Sequence, residues 1–149
     1  MSNANIKDKI LFTLEPHSLA EPLCVNLDAN MGGFETRQFP DGESYLRILS
    51  DVNKKHCIIL ADLSSPNEKY LPLVFLVNTL KELGALSIGL AAPYLSYMRQ
   101  DRRFVAGEAV TSKIFAHDLS SHIDWLVTVD PHLHRYHSLD GVLRPSPRN

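Results

Sequence analysis

The sequence predicts an α/β domain: a parallel sheet covered by helices. Three observations carry this. Short apolar runs at 10–14, 57–61, 86–91 and 125–129 have the length of strands covered on both faces. Helical patterns at 68–83 and 109–119 separate the last three runs, giving a strand-helix alternation. Polar clusters at 62–67, 93–108 and 130–137 follow three of the strands at once, and ligands of such sheets bind beyond the carboxyl ends of the strands.

The first eight residues are polar and are expected to fray. Residues 10–14 form a buried strand, ended by Glu15-Pro16. A short helix over 17–27 is weakened by Pro22, and Gly32-Gly33 breaks the chain. Residues 34–39 and 45–49 read as two strands around Pro40-Asp41-Gly42-Glu43, either a hairpin or a corner. In the second, Tyr45 and Arg47 share one face, Leu46 and Ile48 the other. After the strand at 57–61, the polar loop 62–67 offers a helix cap. In the helix at 68–83, Leu73, Leu76, Val77, Leu80 and Leu83 form one stripe and Gly84 supplies the stop. A buried strand at 86–91 leads into an arginine-rich loop, ordered or mobile. A second helix at 109–119 and a buried strand at 125–129 follow. The tail from Arg144 to Asn149 reads as linker or frayed end.

The 149 residues suit one domain. With 44% hydrophobic and 21% charged residues, the chain is neither disordered nor fibrous. Fifteen basic and 17 acidic residues leave a net charge of -2, which gives no bulk attraction to nucleic acid or to an anionic membrane. No apolar run reaches the roughly 18 residues of a membrane span, and 10–14 is too short for a signal-peptide core. Cys24 and Cys57 are expected to be buried free thiols in a reducing compartment, so the cytoplasm is the expected location.

Three constellations carry chemistry. Tyr97-Met98-Arg99-Gln100-Asp101-Arg102-Arg103 places three arginines within five positions after a strand. Guanidinium forks suit phosphate oxygens, though a charged solvated loop has the same composition. Asp130-Pro131-His132-Leu133-His134-Arg135-Tyr136-His137 follows the last strand. A carboxylate with imidazoles there suits a divalent metal: magnesium on oxygen ligands, or zinc on His132 and His134. Phe39-Pro40-Asp41-Gly42-Glu43 offers an aromatic ring to stack on a base and two carboxylates for an amino group or ribose hydroxyl. Neither a Walker-type nor a Rossmann-type glycine loop is present.

In order and spacing, these segments resemble the ribose-phosphate pyrophosphokinase family. The resemblance rests on Phe39-Pro40-Asp41-Gly42-Glu43, Pro93-Tyr94, Tyr97 through Arg103, Gly107-Glu108, Ser112-Lys113 and Thr128-Val129-Asp130-Pro131-His132, and covers roughly 8–140. It implies a phosphoribosyltransferase-type α/β domain in three layers. It implies transfer of the pyrophosphoryl group of ATP to the 1-hydroxyl of ribose 5-phosphate, with magnesium, for nucleotide biosynthesis. It implies an ATP site of Phe39, Asp41, Gly42 and Glu43 in the adenine pocket, often shared between subunits, with Arg99, Gln100 and Asp101. Asp130 and His132 would lie by magnesium and the phosphates. The family also implies a homo-oligomer.

The chain departs from the family in three ways. It resembles only the first of two similar domains, so 1–149 is expected to be a single amino-terminal-type domain. The acidic Gly-Gly-Thr loop for ribose 5-phosphate and the Lys-Arg flexible loop are both absent, so no catalytic residue is assigned. His134-Arg135-Tyr136-His137 differs from the commoner Asp-x-His-Ala continuation. Positive charge on the transferred group is the main device in such reactions, so the chain alone is expected to be incomplete as a catalyst. The alternatives are a non-catalytic regulatory module that pairs with a full-length synthetase, and a small hydrolase with a metal on Asp130, His132 and His134.

Overall fold

The computed structural model describes residues 7–129 and Pro131. The elements run β1 (Lys9–Thr13), α1 (Ala20–Leu27), β2 (Asn30–Met31), β3 (Phe34–Gln38), β4 (Ser44–Ile48), β5 (His56–Leu60), α2 (Pro66–Glu82), β6 (Ser87–Ala92), α3 (Thr111–His122) and β7 (Trp125–Thr128). Five strands form a parallel sheet in the order β2-β1-β5-β6-β7, and β3 and β4 form a separate antiparallel hairpin. The architecture is the parallel sheet with helices that the sequence predicts.

Alternation along the central strands explains the three layers. Ile10 and Phe12 of β1 and Cys57 and Ile59 of β5 enter one core, beneath Leu73, Leu76 and Leu80 of α2 and Phe115 and Leu119 of α3. Leu11, Ile58 and Leu60 face the other way and meet Ala20, Leu23 and Leu27 of α1. The hairpin joins the first core through Phe34, Leu46 and Ile48. The Phe34 ring meets Phe12 edge-on, with centroids 6.1 Å apart. The two strands around Pro40 are therefore a hairpin, not a corner.

Several local expectations change. Helix α1 begins at Ala20, which makes Pro22 its third residue. The first helical N–H groups have no partner within the helix, so proline costs little there. Helix α2 begins at Pro66, two residues before the expected start, and Ser65 at its N-cap makes no side-chain cap. Leu83 leaves the buried stripe and is exposed, because the helix has ended and Gly84 turns the chain at φ +95°. Strand β2 escaped the pattern: it is two residues long and exposed. Strand β7 is not buried on both faces. Leu126 packs on the core, but Trp125, Val127 and Val129 are exposed, because β7 is an edge strand and α1 packs at the far side, on β1 and β2. Both cysteines are free thiols, Cys57 buried and Cys24 only half-buried. Among the described residues, no helix is long and apolar enough to cross a membrane.

Candidate functional site

Strands β5 and β6 are neighbours, so the segments leaving their carboxyl ends meet. The Leu63 N–H donates to the Tyr94 carbonyl at 3.1 Å and ties them together. Between them opens a cleft of about 600 Å³. Its walls are Ser64 and Ser65 with the first residues of α2, Pro66 to Glu68, and the segment carrying Tyr94, Ser96, Tyr97, Arg99 and Gln100.

The loop at 94–110 is anchored rather than loose. Leu95 and Met98 are buried in the first core. Tyr97 adopts φ +64°, unusual for an aromatic residue, and is held there from two sides. Its hydroxyl donates to Asn67 Oδ1 on the opposite wall, and its ring packs on Phe115 at 5.1 Å. With the backbone so fixed, Ser96 and Arg99 fall on the cleft wall. Ser96 is only 4% exposed, and its hydroxyl has no hydrogen-bond partner.

Gln100 lines the cleft, but its amide nitrogen is committed. Nε2 donates to the Arg102 carbonyl at 3.0 Å and to Glu108 Oε2 at 2.9 Å. Only the amide oxygen remains to accept from a ligand. Glu108 Oε2 also accepts the N–H groups of Phe104 and Val105, at 2.9 and 3.1 Å. These backbone donors, Val105 foremost and then Phe104, hold the Glu108 carboxyl below its ordinary value, with help from Gln100. Glu108 thus closes the far end of the loop as a turn. The Arg102 guanidinium sits over the Phe104 ring at 4.7 Å. Asp101 is buried and does not line the cleft.

Ahead of α2, Asp62 accepts the Ser64 N–H at 2.8 Å. That bond, then the Ser64 hydroxyl and the charge of Lys69, hold its carboxyl below the usual range. Lys69 in turn donates to the Asp62 carbonyl and pairs with Glu15 at 3.4 Å.

Phe39-Pro40-Asp41-Gly42-Glu43 is the turn of the β3–β4 hairpin. The Phe39 N–H donates to the Glu43 carbonyl at 2.7 Å, and the Gly42 N–H donates to the Phe39 carbonyl at 2.8 Å. Gly42 sits at φ +92°, which glycine tolerates without strain. Asp41 Oδ1 accepts the Glu43 N–H at 3.1 Å, so one carboxylate already serves the turn. Arg37 holds the Phe39 ring: its guanidinium carbon lies 5.2 Å from the Phe39 centroid and 4.4 Å from that of Tyr45, the residue opposite it in the hairpin. The turn lines neither the cleft nor the neighbouring hollow between hairpin and α2.

The structure therefore brings Arg99 and Gln100 together on one cleft, buries Asp101 and places Phe39, Asp41, Gly42 and Glu43 on a separate surface. Asp130, His132, His134 and His137 lie outside the described residues. Among the described residues, no three acidic, imidazole or thiol groups gather into a possible metal site. Sequence reasoning passed over four contributors: Ser96, Asn67, Glu108 as an organiser of the loop, and Arg37. Only Arg37 had a legible signal, since its two-residue spacing from Phe39 puts both on one strand face.

Comparison with known proteins gives the family. A family model described as the N-terminal domain of ribose phosphate pyrophosphokinase matches residues 9–122. A ribose-phosphate pyrophosphokinase of Methanothermobacter thermautotrophicus is 41% identical over 115 residues, covering 76% of this chain and 38% of that protein. Ribose-phosphate pyrophosphokinase 1 of Streptococcus pneumoniae is 37% identical over 131 residues, covering 86% of this chain and 41% of the relative. The crystal structure of phosphoribosylpyrophosphate synthetase from Mycobacterium smegmatis superposes with a TM-score of 0.80 at 25% identity, covering 93% of this chain and 47% of the other. The chain thus spans about two fifths of the length of these curated relatives. It belongs to the ribose-phosphate pyrophosphokinase family and corresponds to that family's N-terminal domain.

Proposed function

We propose that this domain is the ATP-binding amino-terminal part of a ribose-phosphate pyrophosphokinase and is incomplete as a catalyst by itself. The observation that carries the reading is the placement of Arg99 and Gln100, side by side on the walled cleft beyond β6. A guanidinium there suits polyphosphate oxygens, and the Gln100 amide oxygen suits an amino or hydroxyl donor. The residues 1–149 act as one unit in this reading. The missing ribose 5-phosphate loop and flexible loop would have to come from a further domain or from another chain.

The hairpin turn supplies the adenine contacts. Phe39 offers a half-open ring, and Glu43 a carboxylate for the base or ribose. Because the turn lies off the cleft, these contacts serve a nucleotide seated on a second copy of the domain, which makes the functional unit a homo-oligomer. The described residues do not fit magnesium as a protein-held ion. Magnesium would meet this chain at Asp130 and His132, where a carboxylate is the favoured ligand, and would otherwise be held by nucleotide oxygens. The cytoplasm, where ATP and ribose 5-phosphate are made and used, is the matching location.

The test is titration of the full chain with ATP and magnesium by calorimetry, beside light scattering for mass. Saturable binding that Arg99→Ala and Phe39→Ala each weaken by about ten-fold or more supports the reading. Binding unchanged by Arg99→Ala refutes the cleft assignment. Absence of ATP binding, with tight association to a full-length synthetase, replaces it with the non-catalytic module.

A further inference from the structure

We infer that Asn67 and Tyr97 are positioning residues: the hydrogen bond between their side chains is a strut across the cleft that fixes the backbone carrying Arg99 before any ligand arrives. The inference rests on the nucleotide reading above for the identity of the ligand, and adds what sets its affinity.

Three observations meet at residue 97. First, its backbone is strained. Tyr97 sits at φ +64°, a left-handed conformation that an aromatic residue, unlike glycine or asparagine, rarely adopts. Such a conformation persists only where its surroundings over-determine it. Second, one of the contacts that hold it is directional. Leu95 and Met98 are buried in the core on either side, and the ring packs on Phe115 at 5.1 Å. Apolar burial is non-directional and leaves the chain some play. The hydroxyl is different: it donates to one acceptor, Asn67 Oδ1, in one geometry. Third, donor and acceptor stand on opposite walls. Asn67 is the second residue of α2, Tyr97 belongs to the segment beyond β6, and both line the cleft. Arg99 lies two residues further along the same wall.

The consequence is preorganisation. Arg99 has a long, exposed side chain, and ordering it on a mobile loop would cost affinity. A backbone fixed two residues earlier removes part of that cost. Without the hydroxyl contact, the directional restraint on residue 97 is gone, and the strained φ relaxes toward negative values. The ring has space to follow, because Tyr97 also lines a second, apolar hollow of about 330 Å³ with Tyr70, Ile114 and Phe115. A second tyrosine supplies an internal comparison. Tyr70 also packs on Phe115 at 5.1 Å and donates its hydroxyl, to Asp118 of α3, but it does not line the cleft. The same deletion of one hydroxyl at 70 and at 97 therefore separates a role in the cleft from a general loosening of the core.

The test is a double-mutant cycle on the full chain: wild type, Tyr97→Phe, Asn67→Ala and the double variant, with Tyr70→Phe for comparison. Each is titrated with ATP and magnesium by calorimetry. Backbone order parameters of residues 97–100 are measured by nuclear magnetic resonance without ligand. Tyr97→Phe and Asn67→Ala should each weaken ATP binding by about five-fold, the scale of one hydrogen bond. The double variant should bind no more weakly than either, since both changes remove one contact. Order parameters at 97–100 should fall in both single variants, and Tyr70→Phe should change neither reading. Additive losses mean that Asn67 and the Tyr97 hydroxyl each meet the ligand directly, and overturn the strut. Unchanged affinity in either single variant, or an equal loss in Tyr70→Phe, overturns it too. Order parameters that stay at wild-type values in both single variants overturn it whatever ATP does. If the wild-type chain binds no ATP, the nucleotide reading fails and the order parameters alone decide: a fall in both single variants upholds the strut.

Discussion

Gly89→Ala is the substitution whose cost the structure defines most sharply. Gly89 lies opposite Trp125 in the pairing of β6 with β7, and the indole ring crosses directly over it. A methyl group at 89 would sit 1.8 Å from Trp125 Cε2 and 1.9 Å from Cζ2, well inside any real contact. The ring must move. It is already 40% exposed at the sheet edge, so it can swing outward rather than break the sheet. If about 100 Å² of apolar contact is lost, the cost is about 2.5 kcal/mol at ~25 cal/mol per Å². Replacing glycine by alanine in a strand returns roughly 0.5–1 kcal/mol. The clash wins, and the net destabilisation is about 1.5–2 kcal/mol. Trp125 is the sole tryptophan, so its emission reports the displacement directly. The assay is urea unfolding followed by circular dichroism and by fluorescence. A lower midpoint and a red-shifted native emission are expected. In a Trp125→Val background, Gly89→Ala should become neutral or stabilising, since the ring it strikes is gone. A Gly89→Ala protein as stable as wild type, with unshifted emission, would refute the ring-over-glycine packing.

Further outcomes follow from the loop and the core. Glu108→Ala removes the acceptor shared by Gln100, Phe104 and Val105, so ATP affinity should fall several-fold while the melting temperature hardly moves; calorimetry and a thermal melt check this. The amide signals of Phe104 and Val105 in nuclear magnetic resonance should titrate together at a pH below the ordinary glutamate range, because the depressed carboxyl keeps its bonds until pH falls through its folded value. Burial pushes the Cys57 thiol up to about 11. Between pH 9 and 11 the unfolded thiol ionises and the folded one does not, so unfolding free energy should fall with rising pH by up to ~2.7 kcal/mol. Cys57→Val should remove that part of the slope in urea melts, and at pH 8 a thiol reagent should label Cys24 well before Cys57.

The parts of the fold that were legible are those where local pattern and tertiary burial coincide. Strands β1, β5 and β6 lie inside the sheet, each between two neighbouring strands and buried along most of its length, so their apolar runs stand out. Strand β7 has the same composition but lies at an edge, and strand order is a tertiary property that no local run encodes. Strand β2 is invisible for the opposite reason: two exposed residues pair with β1 through backbone alone. Helix α2 starts inside the polar loop 62–67, because Pro66 at the first helical position has a fixed φ that suits the helix. In the candidate site, the position of Arg99 and Gln100 on a cleft beyond β6 was legible because they leave the carboxyl end of a parallel strand. Ser96 was not. A serine carries no charge or size signal, and its burial without a partner is set by the folded loop alone. Asp101 looked like its neighbours in sequence, but only the folded loop reveals that it turns inward.

The division of the candidate site between two surfaces has a physical consequence for affinity. A nucleotide has an aromatic end and an anionic end, and the proposed function assigns each to a different surface of the chain. The hairpin presents Phe39, held by Arg37; the cleft presents Arg99 and Gln100. A base that stacks on Phe39 competes with the Arg37 guanidinium for that ring, which limits what the hairpin alone can gain. The cleft alone must hold a charged tail in open water beside Glu68. Under the proposed function each half is therefore a weak site. When two copies set the hairpin of one against the cleft of the other, the second contact becomes intramolecular and multiplies the first, without any new residue. Apparent ATP affinity of the wild-type chain should therefore rise with protein concentration across the range where light scattering shows association. Phe39→Ala should flatten that rise while leaving tripolyphosphate binding intact. Affinity for ATP that stays constant as the protein passes from monomer to oligomer would place both ends of the nucleotide on one chain, against the separation seen between hairpin and cleft.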